Sequence, residues 1–257
     1  MGKRFVVILA SIFSFLLMTV ESPGQPDREF LVSAAISLTN AFEELGKTFQ
    51  GKNKNVRVLF NFAGSGDLMR QIVGGAPVDV FASASPREMD ALEQKGLILK
   101  DTRKNFAENR VVLVLPARAS VPLTSFDDLK RKEVKRIAIG NPQTVPAGRY
   151  AEEVLKHFNL SDFVKDKLIF AENVRQVLDY VSRGEVDAGM VYSTDALIKS
   201  KQVKIAVEAP PKSHAPVVYP IAVIKGSKKE SLGKEFISLV SAKDGREILK
   251  RYGFLVP

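Results

Sequence analysis

No cysteine occurs in this chain of 257 residues. Its absence excludes disulfides, a thiol nucleophile and a lipid-modified N-terminal cysteine, so any membrane tether has to be the N-terminal segment itself. Exported proteins need not carry disulfides, so the absence does not argue against export. Histidine is almost as scarce. His157 and His214 stand alone, both expected at the surface, and with no thiolate beside them they argue against a zinc or other transition-metal site. There is no Gly-x-Gly-x-x-Gly turn, no phosphate-cradling Walker loop and no Gly-x-Ser-x-Gly elbow. The usual signatures of dinucleotide enzymes, NTPases and serine hydrolases are therefore missing. No internal repeat, low-complexity tract or long linker interrupts the chain.

Long apolar runs are also lacking, with one exception. Lys3 and Arg4 precede an almost unbroken apolar stretch over 5–20, and polar and turn-forming residues follow over 21–25. This is the three-part layout of a secretory signal peptide, with cleavage expected near Val20-Glu21-Ser22. The stretch is a little short for a spanning helix of about 20 residues, which leaves an uncleaved anchor as the alternative. The formal charge is +9, and a basic surface can attract nucleic acid, a membrane or small anions. The basic residues are scattered, however, and clusters such as Lys130-Arg131-Lys132 are flanked by acids. Without a helix-turn-helix or an aromatic RNA-binding signature, and with export expected, nucleic acid is not a partner.

What the chain does have is a 45% hydrophobic composition, ample for a core, and an alternation of strand-like and helical patterns. Strands are expected over 30–33, 56–61, 80–82, 111–116, 136–140, 167–170, 188–191, 205–207 and 217–224. Helices are expected over 38–50, 66–74, 86–95, 148–158, 174–183 and 230–240. The alternation predicts an α/β protein with mostly parallel sheets. Residues 109–115 and 219–224 read as two extended crossings between lobes, a two-strand hinge that permits closure around a ligand. The expected division is a signal peptide over 1–25, a discontinuous first lobe over 26–109 and 218–257, and a second lobe over 110–217.

Several small-residue turns precede the helical patterns. Ser37 stands where an N-cap belongs before Leu38, Ala41, Phe42, Leu45 and Phe49, so its hydroxyl and the first free N–H groups face one point and favour an oxyanion. Gly64-Ser65-Gly66 repeats the arrangement before Leu68, Met69, Ile72 and Val73. Pro146-Ala147-Gly148 leaves the N–H groups of Ala147 and Gly148 exposed at a third helix start. Asn173-Val174 opens a fourth helix, and Tyr192 ends a strand with a phenolic hydroxyl. Ser85-Pro86-Arg87-Glu88 is a strong start signal for a helix, read as purely structural. Asp79 and Asp187 read as structural caps, Arg149 and Arg175 as solvated ion pairs.

In order along the chain, Ala34-Ala35-Ile36-Ser37-Leu38-Thr39, Phe62-Ala63-Gly64-Ser65-Gly66, Gly75-Ala76-Pro77-Val78-Asp79, Val145-Pro146-Ala147-Gly148, Glu172-Asn173-Val174-Arg175 and Arg251-Tyr252-Gly253-Phe254 resemble the periplasmic molybdate-binding proteins of ABC transporters. The resemblance implies a two-lobed periplasmic-binding-protein-like fold (type II). It also implies an oxyanion, molybdate or tungstate, held between the lobes by uncharged donors. These are the hydroxyl and N–H of Ser37 and Ser65, the N–H of Ala147 and Val174, and the hydroxyl of Tyr192. It further implies no cofactor, no cation bound directly, no enzymatic activity, a periplasmic location, a monomer, and an ABC transporter permease as partner. Ile36 replaces a more usual alanine and should alter only packing behind the turn. A sulfate binder, a serine hydrolase using Ser37 or Ser65, and a transcription-regulator effector module are the competing readings.

Overall fold

The computed structural model describes Gly2 and residues 28–257, so the apolar run of the expected signal peptide lies outside the described residues. The elements are β1 (Arg28–Ala35), a 3-10 turn (Ile36–Leu38), α1 (Thr39–Lys52), β2 (Val56–Ala63), α2 (Ser65–Val73), β3 (Val80–Ala82), α3 (Pro86–Gln94), β4 (Lys104–Asn109) and β5 (Val111–Pro116). There follow β6 (Ile137–Gly140), α4 (Pro146–His157), α5 (Ser161–Val164), β7 (Leu168–Ala171), α6 (Val174–Ser182), β8 (Ala188–Tyr192), α7 (Ser193–Ile198), β9 (Val203–Glu208), β10 (Val217–Val223), α8 (Glu230–Ser241) and α9 (Lys243–Arg251).

Two five-stranded sheets result, in the orders β2-β1-β3-β10-β4 and β7-β6-β8-β5-β9. The strand Val111-Val112-Leu113-Val114-Leu115 is an unbroken apolar run, buried throughout, as expected for a strand covered on both faces. Helices cover the sheets with one apolar side. In α1, Ala41, Phe42, Leu45 and Phe49 are buried at helical spacing. Phe42 and Phe49 pack edge-on against Phe236 of α8, with ring centroids 5.9 and 5.4 Å apart. Ser85 caps α3 as its sequence predicts, accepting from the Arg87 N–H at 3.2 Å, with Pro86 in the first helical position.

Both sheets are mixed, where the alternation pointed to mostly parallel ones. β1 pairs parallel with β2 and β3, and β6 parallel with β7 and β8, but β10 runs antiparallel to β3 and β4, and β5 antiparallel to β8 and β9. The antiparallel strands are those next to the points where the chain changes sheet. The first change falls at Arg110, between β4 and β5. The second falls in residues 209–216 and not in the stretch 219–224, all but the last residue of which lies within β10 of the first sheet. Pro210, Pro211 and Pro216 account for the difference, since they have no N–H to give to a ladder and end the strand pairing before β10 begins.

Candidate functional site

A small cavity of about 10 Å³, measured as the space open to the centre of a water-sized sphere, lies where the carboxyl ends of β1, β2 and β8 meet the starts of α4 and α6. In open α/β sheets this is where ligands are held. Ser37, Ser65, Ala147, Val174 and Tyr192, far apart in sequence, all line it. No charged side chain is among its lining residues.

Each position has a local cause. Ser37 is not an N-cap: it sits inside the 3-10 turn, which Thr39 tightens by donating its hydroxyl to the Ile36 carbonyl at 2.6 Å. Because that turn precedes α1, the N-cap position falls to Leu38, and the Ser37 hydroxyl turns instead to the Tyr219 hydroxyl at 3.1 Å. Gly64 takes the N-cap position of α2 with no side chain to offer, which makes Ser65 the first helical residue. The Ala84 N–H donates to Ser65 Oγ at 3.0 Å, so the single hydroxyl hydrogen of this fully buried serine is free for the cavity.

Pro146 and Ala147 are the first two residues of α4. The Gly148 N–H, expected to be exposed, is taken by the Val145 carbonyl at 3.0 Å. What Gly148 provides is closeness: a Cβ there would fall 2.0 Å from the Gly140 carbonyl oxygen, so only glycine lets α4 start against the end of β6. Val174 opens α6 after Asn173, whose Oδ1 accepts the Gln176 N–H at 3.0 Å. The N–H groups of Ser65, Ala147 and Val174 thus belong to first helical turns, which have no carbonyl of their own to satisfy them.

Tyr192 ends β8 and is 1% exposed, yet its hydroxyl has no partner among the described residues. Burial pushes this phenol well above its ordinary pKa, so it remains a donor. A buried hydroxyl without a partner costs free energy unless something else accepts from it. Ile36, expected to pack behind the turn, packs against the core and also contributes to the cavity wall.

The arginines near the cleft are paired, though not in solvent as their sequence context suggested. Arg149 Nη2 contacts Glu88 Oε1 at 2.6 Å, with side chains 13% and 4% exposed. Glu88 is thereby diverted from the capping role that its place after Ser85 predicts, and its helix does more than fill space. Arg175 Nε contacts the buried Asp195 Oδ1 at 2.6 Å, and its Nη2 reaches Asn40 Oδ1 at 3.1 Å and the Ser37 carbonyl at 3.4 Å. Burial raises the Asp195 carboxyl pKa in spite of Arg175. With each guanidinium matched by a carboxylate, neither adds a free positive charge to the cavity. Further contact between the two sides comes from the Gly66 N–H, which donates to the Thr144 carbonyl at 2.9 Å.

Asp79 and Asp187 are structural, as their sequence context predicts. Asp79 accepts from the Leu31 N–H, Ser227 and Lys229, and Asp187 from the N–H groups of Lys135 and Arg136. His157 is exposed; His214 is half-buried against the Tyr150 ring, with centroids 5.8 Å apart. Ala84, Glu88, Asn109 and Tyr219 are further neighbours of the site that the sequence does not mark as such. Only Glu88 carried a signal, as a carboxylate in a capping position.

Two α/β sheets with a buried, cation-free set of donors at their facing strand ends define a binding protein of the periplasmic-receptor type. Residues 30–255 match the family of bacterial extracellular solute-binding proteins, and the chain belongs to that family. It is similar to the molybdate-binding protein ModA of Escherichia coli, 40% identical over 230 residues that cover 88% of each chain. ModA of Haemophilus influenzae is 38% identical over 226 residues, 87% of this chain and 88% of the relative. Among solved structures, the periplasmic molybdate-binding protein of Azotobacter vinelandii superposes with a TM-score of 0.80 at 25% identity, covering 89% of this chain and 99% of that one.

Proposed function

We propose that this protein captures molybdate, and tungstate with it, outside the cytoplasmic membrane and delivers the oxyanion to the permease of an ABC transporter. The reading is of a carrier that binds its cargo without converting it, which accords with its membership of a solute-binding family. The observation that carries it is the convergence of Ser37, Ser65, Ala147, Val174 and Tyr192 on one cavity with no charged lining residue. In this proposal the hydroxyls and N–H groups of Ser37 and Ser65, the N–H groups of Ala147 and Val174 and the hydroxyl of Tyr192 hold the anion. Lobe 1, residues 26–109 and 218–257, and lobe 2, residues 110–217, close over it. The protein works as a periplasmic monomer.

Neutral donors serve both selectivity and release. A site made only of donors rejects an anion that must itself donate a proton, because two hydrogens would face each other. A fully deprotonated tetrahedral dianion meets no such conflict. Hydrogen bonds to a charged group contribute about 1.5–3 kcal/mol each. A set of this size exceeds the roughly 8–12 kcal/mol of micromolar to nanomolar binding, and dehydration of the anion and lobe closure consume the difference. Calorimetric titration with molybdate, tungstate and sulfate tests the assignment. Molybdate and tungstate should bind one per chain and more tightly than sulfate, through the size of the cavity. Sulfate binding as tightly as molybdate overturns it.

Tyr192→Phe separates binding from folding. Removing a buried hydroxyl that lacks a protein partner should leave the melting temperature of the free protein unchanged or higher. Molybdate affinity should fall about tenfold or more, for one lost charge-assisted bond. Melting curves with and without molybdate check both signs, and unchanged affinity removes Tyr192 from the proposed set.

A further inference from the structure

We propose that Tyr219 and Asn109, neither of which lines the cavity, fix the Ser37 hydroxyl as a donor and so determine which protonation state of a tetrahedral oxyanion is accepted. The inference rests on the oxyanion-binding reading above and deepens it.

The direction of the hydrogen bonds follows from one group that can only donate. The backbone N–H of Arg110 lies 2.9 Å from the Asn109 side chain, so the carboxamide atom facing it is the oxygen. Ser193 Oγ donates to the same oxygen at 3.0 Å. The amide nitrogen therefore lies on the other side, with its two hydrogens directed at Thr194 Oγ1, 2.9 Å away, and at the Tyr219 hydroxyl, 3.2 Å away. Tyr219 is completely buried and Asn109 is 6% exposed, so water does not compete for these contacts. Once the phenolic oxygen accepts from Asn109, its one hydrogen goes to Ser37 Oγ at 3.1 Å. Ser37 then accepts from Tyr219, and its own hydrogen is left for the cavity that it lines.

Polarity is thus passed from the peptide at Arg110, where the chain changes sheet, through Asn109 and Tyr219 to Ser37. Ser65 reaches the same condition by a shorter route, through the Ala84 N–H. Without these partners a serine hydroxyl can rotate and offer a lone pair, and a ligand O–H then finds an acceptor. Inorganic phosphate, which keeps a proton at neutral pH, is the anion that such a change admits.

The test is titration of the wild type, Tyr219→Phe, Asn109→Ser and Ser37→Ala with molybdate and with inorganic phosphate at neutral pH. Tyr219→Phe should narrow the preference for molybdate over phosphate by about tenfold or more, weakening the first and strengthening the second. Asn109→Ser, which frees the Tyr219 hydroxyl from accepting, should narrow it in the same direction and serves if Tyr219→Phe does not fold. Ser37→Ala should lose molybdate affinity with no gain for phosphate, since no hydroxyl remains to reverse. Loss of packing weakens both anions together, so an unchanged ratio in folded Tyr219→Phe and Asn109→Ser overturns the proposal, as does Ser37→Ala strengthening phosphate binding as much as Tyr219→Phe. Failure of the wild type to bind molybdate is a separate result, visible before any variant is made, and rejects the oxyanion reading itself.

Discussion

Gly66→Ala should leave the protein folded and remove high-affinity molybdate binding. Gly66 stands in the first turn of α2, where alanine is the better helix former, so the fold has nothing to lose locally. Its N–H donates to the Thr144 carbonyl across the cleft, and a Cβ in this place would fall 2.6 Å from that oxygen and 2.9 Å from Thr144 Cα. These are backbone atoms that cannot swing aside as the end of a flexible side chain can. The two turns have to separate, and Ser65 on one side then withdraws from Ala147 and Val174 on the other. Misplacing several donors together should raise the dissociation constant about a hundredfold or more, equivalent to about 2.7 kcal/mol. Calorimetry gives the affinity and thermal melting of the free protein gives the fold. Binding within about threefold of wild type would show that the contact between Gly66 and Thr144 plays no part in closure.

Ser65→Ala carries the second large effect, and it acts on stability as well as on binding. The substitution removes one of the proposed donors to the anion and deprives the buried Ala84 N–H of its acceptor. Affinity should fall ten- to a hundredfold, from about 1.5–3 kcal/mol for a bond to a charged group. The orphaned N–H should cost the free protein about 1–3 kcal/mol. At about 2–4 °C per kcal/mol for a chain of this size, that lowers its melting temperature by several degrees. Ser37→Ala should lower affinity similarly and also cost stability, because the buried Tyr219 hydroxyl still accepts from the Asn109 amide but loses the acceptor of its own hydrogen. Equal melting temperatures for Ser65→Ala and wild type would contradict the role given to Ser65 Oγ.

The parts of this account that were legible in the sequence are those whose cause is local. Phe42, Leu45 and Phe49 announce α1 by spacing alone, Ser85-Pro86 announces α3, and the run Val111-Val112-Leu113-Val114-Leu115 can only be a buried strand. The edge strand β4 escaped because Lys104-Asn105-Phe106-Ala107-Glu108-Asn109 is largely polar, and its pairing with β10 is invisible without the third dimension. α9 escaped because it is short and highly charged: Lys243, Asp244, Arg246, Glu247, Lys250 and Arg251 segregate to one side, and only Ile248 and Leu249 anchor the other as large apolar residues.

The candidate site divides in the same way. Ser37 and Ser65 are conspicuous as small hydroxyl residues ahead of amphipathic helices. Ala147 and Val174 would contribute only a peptide N–H, which any residue but proline can supply; the flanking Pro146 and Gly148 mark the helix start at Ala147, whereas Val174 as a ligand follows from the resemblance to molybdate-binding proteins. The arrangement around Ser37 lies beyond local reading, since Tyr219 is 182 residues from Ser37 and Asn109 is 110 residues from Tyr219. The pairing of Glu88 with Arg149, 61 residues apart, replaces a capping contact that local sequence favoured. In both cases tertiary proximity decides among partners that the sequence leaves equivalent.

The central claim is that a doubly charged tetrahedral oxyanion sits in the cation-free cavity between the two sheets, held by hydroxyl and peptide donors from both. A crystal structure of the protein with molybdate, using the anomalous signal of molybdenum to locate the ion, tests this most directly. The account predicts one strong anomalous peak per chain, enclosed by Ser37, Ser65, Ala147, Val174 and Tyr192, with Arg149 and Arg175 still paired to Glu88 and Asp195. A peak outside this cavity, or one coordinated by either arginine, would contradict it.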